Sequence, residues 1–273
     1  MSAGARARPA LAAGPSLHDV LDLEEIDRDL LRSTLVYDDP HALYGGQVAA
    51  QALLAAGRTV DGDRVPHSLH CYFLRSGDAS RPTVFSVDRD RDGRSFAARR
   101  VVALQGGEVL ASVSCSFTTV GEGPDVQVTP APVVTGDPAP LPPYTPGRLF
   151  SMECRVPREQ AFPHAEWPAR FWGRAVVPLP EDPLVHAAVL TYLSDISSGA
   201  GAIDVGTRLT ATSLDHALWF HRPVRMDDWV LMDLVPHSLA ASRAWYTGTL
   251  HDRAGALVAS LTQEVLARPR RTG

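Results

Sequence analysis

The chain has 273 residues, 45% of them apolar, with 26 basic and 31 acidic side chains and a formal net charge of -5. That length supports one large or two ordinary domains with a sizeable core, and the scattered mild acidity argues against a nucleic-acid surface. No run of 18 apolar residues occurs, so no membrane-spanning helix is expected.

Residues 1–16 are mostly Ala, Gly, Pro and Arg, which reads as a disordered leader and not a secretory signal. Residues 19–31 mix acidic side chains with Val20, Leu21, Leu23, Ile26, Leu30 and Leu31, and fit either a short helix or a first strand. Gly45-Gly46 precedes an Ala/Leu-rich stretch from Gln47 to Ala56 that predicts a helix apolar nearly all round, hence buried, with Gly57 at its C-cap. From Ser68 to Thr119, β-branched and aromatic residues broken by Asp92-Gly93 and Gly106-Gly107 predict three or four antiparallel strands. Residues 121–146 hold eight prolines and read as a semi-rigid linker.

The second half repeats the order. Strands are expected at residues 149–155 and 171–177, followed by a helix with Asp182 as N-cap and Pro183 at N1 that runs to about Ser197. Further strands are expected at 209–222, 229–235, 242–251 and 256–267. The duplication is visible in the residues: Tyr72-Phe73-Leu74-Arg75 returns about 147 residues later as Trp219-Phe220-His221-Arg222, and the segment ending at Ser116 returns ending at Gln263. A central helix wrapped by an antiparallel sheet, made twice, is an α+β double hotdog; two generic α+β sandwiches are the alternative. The expected division is an amino-terminal hotdog at 17–120, the linker at 121–146 and a carboxy-terminal hotdog at 147–268.

The chemistry is unequal between the copies. Asp195 ends an otherwise largely apolar helix, whereas the corresponding segment of the first half, residues 46–60, contains no acidic residue. A carboxylate near a helix C-terminus is mildly disfavoured by the macrodipole, so it is either solvent-facing or held for a purpose. In the strand around Ser213, alternation puts Ser213, Asp215 and Ala217 on one face and Thr212, Leu214 and His216 on the other. Gln263 sits mid-strand where the first copy has the shorter Ser116.

Several chemistries are excluded or unsupported. The chain contains no Lys, which removes P-loop phosphate sites and Schiff-base catalysis. Gly121-Glu122-Gly123 runs into prolines where a dinucleotide-binding helix should start, and Gly93-Arg94-Ser95-Phe96-Ala97 only approaches a nucleophile elbow. His67 with His70, and His216 with His221, have ligand-like spacing but nothing completes a metal set, so neither metal nor cofactor is expected. Cys71, Cys115 and Cys154 form no disulfide framework, and a cytoplasmic location is expected.

Gly45-Gly46-Gln47, the run from His67 to Leu74, Asp92-Gly93-Arg94-Ser95-Phe96 with Arg99-Arg100, the block from Ser213 to Pro223, and Gln263-Glu264 together resemble the acyl-CoA thioesterase II (TesB) family. The resemblance implies a double hotdog that hydrolyses fatty acyl-CoA with an Asp, a Ser or Thr, and a Gln holding one water. Carried over by motif, these are Asp195, Ser213 and Gln263. It also implies an acyl-CoA substrate and a homo-oligomer. One departure stands out: where the family continues with bulky apolar residues after the Asp, this chain has Ile196-Ser197-Ser198-Gly199-Ala200-Gly201-Ala202, which is expected to loosen the helix end and reshape the acyl pocket. Rival readings are a hotdog hydratase or dehydratase built on the Asp182 to His186 segment, and a non-catalytic acyl-CoA or acyl-carrier binding module.

Overall fold

The computed structural model describes residues 14–134, 136–144, 149–160, 162, 168–196, 198–203, 205–206 and 209–269. Most of the expected leader, residues 1–13, and residues 270–273 lie outside the described residues.

The first half runs α1 (Leu17–Leu21), β1 (Leu23–Asp27), β2 (Leu30–Ser33), α2 (Gly45–Gly57), β3 (Arg64–Phe73), β4 (Val84–Asp92), β5 (Phe96–Gln105) and β6 (Glu108–Thr119). The ambiguous segment near the start is therefore both helix and strand. Ser16 caps α1 through a reciprocal capping box with Asp19, and the acidic-apolar mixture beyond it forms the β1–β2 hairpin. In the second half, β7 (Pro143–Tyr144), β8 (Met152–Arg155) and β9 (Arg170–Ala175) lead to α3 (Pro183–Ser194) and the short α4 (Ser198–Gly201). β10 (Leu209–Ser213), β11 (Asp215–Phe220), β12 (Val230–Ala240), β13 (Arg243–Asp252) and β14 (Leu257–Pro269) complete it.

All the strands join one antiparallel sheet, in the order β1-β2-β4-β5-β6-β3-β11-β14-β13-β12-β9-β8-β7, with β10 also on β14. The halves meet at β3 and β11, where His70 faces Ala217. Those two residues are 147 positions apart, the repeat interval itself, so the junction sits on the pseudo-twofold axis of the duplication. α2 and α3 pack under this sheet and are buried on nearly every side, as the all-round apolar sequences require. They run antiparallel, because a Cβ at Gly57 would lie 2.5 Å from the Leu184 side chain and one at Gly46 would lie 2.7 Å from the Tyr192 carbonyl. Gly57 is thus the last residue of α2, not its C-cap, which is Arg58. Its missing side chain serves helix contact.

This is the double hotdog expected from the element order. Residues 125–127 lie along the second half: Arg222 pairs with Asp125, and Gln127 bonds Gly255 (3.0 Å) and Leu257 (2.7 Å) across the β13–β14 turn. Val134 and Leu141 pack on Trp172, Trp229 and Leu231.

The first half has its own buried polar anchor. Arg99, 1% exposed, donates to Thr59 Oγ1 (2.8 Å), Thr59 O (3.0 Å), Arg91 O (2.9 Å), Ala98 O (2.9 Å) and Asp92 Oδ1 (2.6 Å). Removing the guanidinium strands these acceptors, a loss of about 3 kcal/mol. Arg99→Met is expected to lower the thermal midpoint by about 6–12 °C, while Arg100→Met, at a half-exposed site, shifts it by about 1 °C or less. Equal midpoints for the two variants in a thermal melt would show that Arg99 contributes no special stability.

Candidate active site

α3 stops at Ser194, and Asp195 is its C-cap, with φ -90° and ψ 41°. Its carboxylate does not reach solvent; the residue is 3% exposed. It is turned instead toward the start of α2, where Gly46 N–H donates to it and a Cβ on Gly45 would lie 2.4 Å from Asp195 Oδ2. The macrodipole objection raised by the sequence is answered by this placement. The acidic side chain that is unfavourable at its own helix C-terminus is favourable at the N-terminus of the partner helix.

Ser213 Oγ donates to Asp195 Oδ1 at 2.7 Å. Gln263 Nε2 donates to the same oxygen and to Ser213 Oγ at 2.8 Å. The three residues singled out from the sequence therefore converge on one point, although they come from a helix end and two strands.

Gln263 is held from its other side as well. Its Oε1 accepts from Tyr246 OH (2.7 Å) and from His216 Nδ1 (2.8 Å), and His216 Nε2 lies 2.7 Å from Ser194 Oγ. His216 and Gln263 are both 0% exposed. Burial holds the His216 pKa down to about 4, so the ring is neutral. With Nδ1–H facing an amide oxygen, Nε2 is left as an acceptor, and the one Ser194 hydroxyl hydrogen has two acceptors within reach, Nε2 and, at 2.9 Å, Thr191 O.

Simple alternation had set Ser213 and His216 on opposite faces, yet both touch Gln263. The strand breaks at Leu214, whose N–H bonds Glu264 O at 2.9 Å. Ser213 pairs with Val265 while Ala217 pairs with Thr262, a shift of one residue that rotates β10 relative to β11. Asp215 occupies the gap, accepting Glu264 N–H at 2.7 Å.

A second correction concerns Gln263's counterpart. β5 pairs Arg99 with Cys115, and β13 pairs Tyr246 with Gln263. Cys115, not Ser116, therefore occupies the matching place. The cause is the hairpin: Gly106-Gly107 closes the first, whereas the second is closed by an Asp252 N–H bond to Ala256 O around three residues. One extra loop residue shifts the offset from 147 to 148. Allowing for that loop length in the sequence would have paired Tyr246 with Arg99 and drawn attention to a tyrosine that strand patterning alone missed.

α3 ends three residues before the expected Ser197, and a second short helix follows Asp195. α4 packs on β12 and β13, and a Cβ on Gly199 would lie 2.4 Å from the Tyr246 ring. Small residues there let the helix settle on an aromatic. Ser197 lies outside the described residues.

Burial is the largest influence on Asp195 and raises its pKa to about 6, against the lowering effect of its bonds to Ser213, Gln263 and Gly46. His186 accepts the Met226 N–H at 3.1 Å and sits nine residues, about 14 Å, back along the helix from Asp195. Among the described residues no cluster of three His, Cys, Asp or Glu could hold a metal, and no helix is long and apolar enough to cross a membrane.

The architecture is that of a double-hotdog protein in which Asp195, Ser213 and Gln263, all from the second half, form a buried polar cluster. The family model for the acyl-CoA thioesterase N-terminal domain matches residues 37–118, and the model for the C-terminal domain matches 125–267. Acyl-coenzyme A thioesterase 8 of Homo sapiens is 30% identical, over 91% of this chain and 88% of its own. The crystal structure of an acyl-CoA thioesterase II, TesB2, from Mycobacterium marinum is 39% identical with a TM-score of 0.77, over 94% of this chain and 98% of that one. A hot dog fold protein of unknown function from Alicyclobacillus acidocaldarius, 20% identical, superposes with a TM-score of 0.78 over 93% of this chain and 98% of that one, a likeness of fold. The chain belongs to the TesB-like acyl-CoA thioesterase family.

A carboxyl with a pKa of about 6 when folded and 3.8 when unfolded keeps its proton longer in the folded state. Its ionisation opposes folding, so this contribution to stability is greatest below about pH 4, falls between about pH 4 and 6, and stays low above. Asp195→Asn removes the titration. The stability of this variant relative to wild type, measured by urea unfolding, is expected to rise by about 3 kcal/mol between pH 3 and pH 8. A pH-independent difference would mean that the carboxyl titrates normally.

Proposed function

We propose that the protein hydrolyses fatty acyl-CoA to free acid and CoA, using one water held by Asp195, Ser213 and Gln263. The observation that carries this reading is the convergence of a buried carboxylate, a hydroxyl and an amide beside the N-terminus of α2.

In this mechanism Asp195 takes a proton from the water as its oxygen attacks the thioester carbonyl carbon. A carboxylate with a pKa near 6 is ionised at neutral pH yet basic enough to accept that proton, and such help is worth ~10² to 10⁴ in rate. Ser213 and Gln263 orient the water. At the start of α2, Gly46 N–H is given to Asp195 and the Gln47 and Val48 N–H groups to Tyr44 O, which leaves Gly45 N–H for the developing oxyanion, a donor worth roughly 3 kcal/mol. Collapse of the tetrahedral intermediate breaks the carbon–sulfur bond, and the CoA thiolate leaves and is protonated.

Two rivals are weaker. The hydratase reading needs a histidine with the carboxylate, but His186 is committed to Met226 at the far end of α3. The binding-module reading drew on the altered Ser198 to Ala202 segment, and Gly199 of that segment packs against Tyr246, a partner of Gln263. The division into hotdogs at 17–120 and 147–268 around a linker at 121–146, a cytoplasmic location and a homo-oligomer complete the reading. Three free, buried cysteines favour a reducing compartment.

A thiol-release screen over short, medium, long and aromatic acyl-CoA tests reaction and specificity together. Wild type is expected to release CoA with an acid limb in kcat/KM near pH 6, and Asp195→Asn to lose at least ~10²-fold in kcat while remaining folded. Near wild-type turnover by the variant overturns the mechanism. Saturable binding with no thiol release from any substrate supports the binding module.

A further inference from the structure

We infer that Tyr246 and His216 are positioning residues that lock the Gln263 side-chain amide in the one orientation able to donate to Asp195 and Ser213. The inference rests on the proposed hydrolytic reading and adds to it residues that touch neither water nor thioester.

An amide has two ends of nearly equal shape and opposite polarity. Facing Asp195, Nε2 donates to the carboxylate; a rotated amide would set a carbonyl oxygen against it, raise the Asp195 pKa and lose the donor to Ser213 Oγ. Oε1 is fixed by two donors at once, Tyr246 OH and His216 Nδ1–H. A phenol could serve either end of an amide, since a hydroxyl both donates and accepts, but neutral His216 can follow it only by moving its ring proton to Nε2 and turning the Ser194 hydroxyl hydrogen onto Thr191 O at 2.9 Å. In the arrangement present Ser194 Oγ lies closer to His216 Nε2, at 2.7 Å, than to Thr191 O, and a hydroxyl that donates to the ring keeps the ring proton on Nδ1, facing Oε1. Tyr246 is in turn seated by Gly199, which leaves no room for a side chain above the ring.

The fold does not need this arrangement. The matching positions of the first half are Leu69 for His216, Arg99 for Tyr246 and Cys115 for Gln263, and that half builds the same helix and sheet with Arg99 bonded to Thr59 and Asp92 in place of the tyrosine, histidine and amide.

The test is Tyr246→Phe, which keeps the ring on Gly199, assayed with a saturated medium-chain acyl-CoA across pH alongside thermal unfolding. A fall in kcat of about 10-fold is expected, with KM within about twofold, and the acid limb should move upward from near pH 6 by about half a unit or more. In a Gln263→Ala background the same substitution should add less than about twofold, because the group it orients is gone. His216→Leu, the residue present in the first half, should behave like Tyr246→Phe, and His216→Gln, which retains a donor, should recover part of the loss. These two variants carry the test if Tyr246→Phe does not fold. An unmoved acid limb, or full effects that persist without Gln263, overturns the inference. That outcome differs from failure of the hydrolytic reading, in which Asp195→Asn itself retains turnover.

Discussion

The structure turns on one buried carboxylate placed where two antiparallel helices exchange ends. Asp195 closes α3 and faces the opening of α2, so the first hotdog contributes a helix N-terminus to a cluster whose side chains all come from the second. A charge taken that far from water is stable only with donors around it. Here it has a hydroxyl, an amide and a backbone N–H. The same burial that makes the site costly sets its basicity, since desolvation outweighs the three hydrogen bonds and leaves the group titrating near neutrality.

The Gly45-Gly46 pair shows how closely the two helices must approach. Any side chain at Gly45 would enter the space of the Asp195 carboxylate and the Phe73 ring, and any at Gly46 would strike Tyr44 and the Tyr192 backbone. Tyr44 OH donates to that same Tyr192 carbonyl at 2.8 Å, tying the two helices together a turn away from the carboxylate. Glycine at these positions is thus a matter of helix spacing, and helix spacing is what brings a backbone donor to Asp195.

Much of this was legible in the residues because it follows from local rules. All-round apolar helices, glycine turns and the missing acid in the first helix gave the architecture and pointed to Asp195, and motif resemblance added Ser213 and Gln263. What escaped were single-residue shifts. The break at Leu214 and the longer β13–β14 loop each move a strand by one position, and a period of two converts one position into the opposite face. His216 was therefore set away from Ser213, and Gln263 was matched to Ser116 in place of Cys115. Tyr246 offered no local signal, because its partner Gln263 is 17 positions away and meets it only through sheet pairing.

The pseudo-twofold axis through His70 and Ala217 makes two equivalent positions available, and only one is equipped. At the other, Arg58 caps α2 where Asp195 caps α3, and the adjacent helix start is filled by Leu184 against Gly57. Arg99 takes the place of Tyr246 and spends its guanidinium on Thr59, Asp92 and two carbonyls, groups that belong to the chain leaving α2 and to the β4–β5 hairpin. A cation in that position would neutralise a carboxylate base placed beside it and hold its pKa low, the opposite of what burial does for Asp195. The two halves therefore carry incompatible electrostatics on one backbone plan. The first half holds a structural anchor at this place, and the second holds a desolvated carboxylate whose partners among the described residues are a hydroxyl, an amide and a backbone N–H.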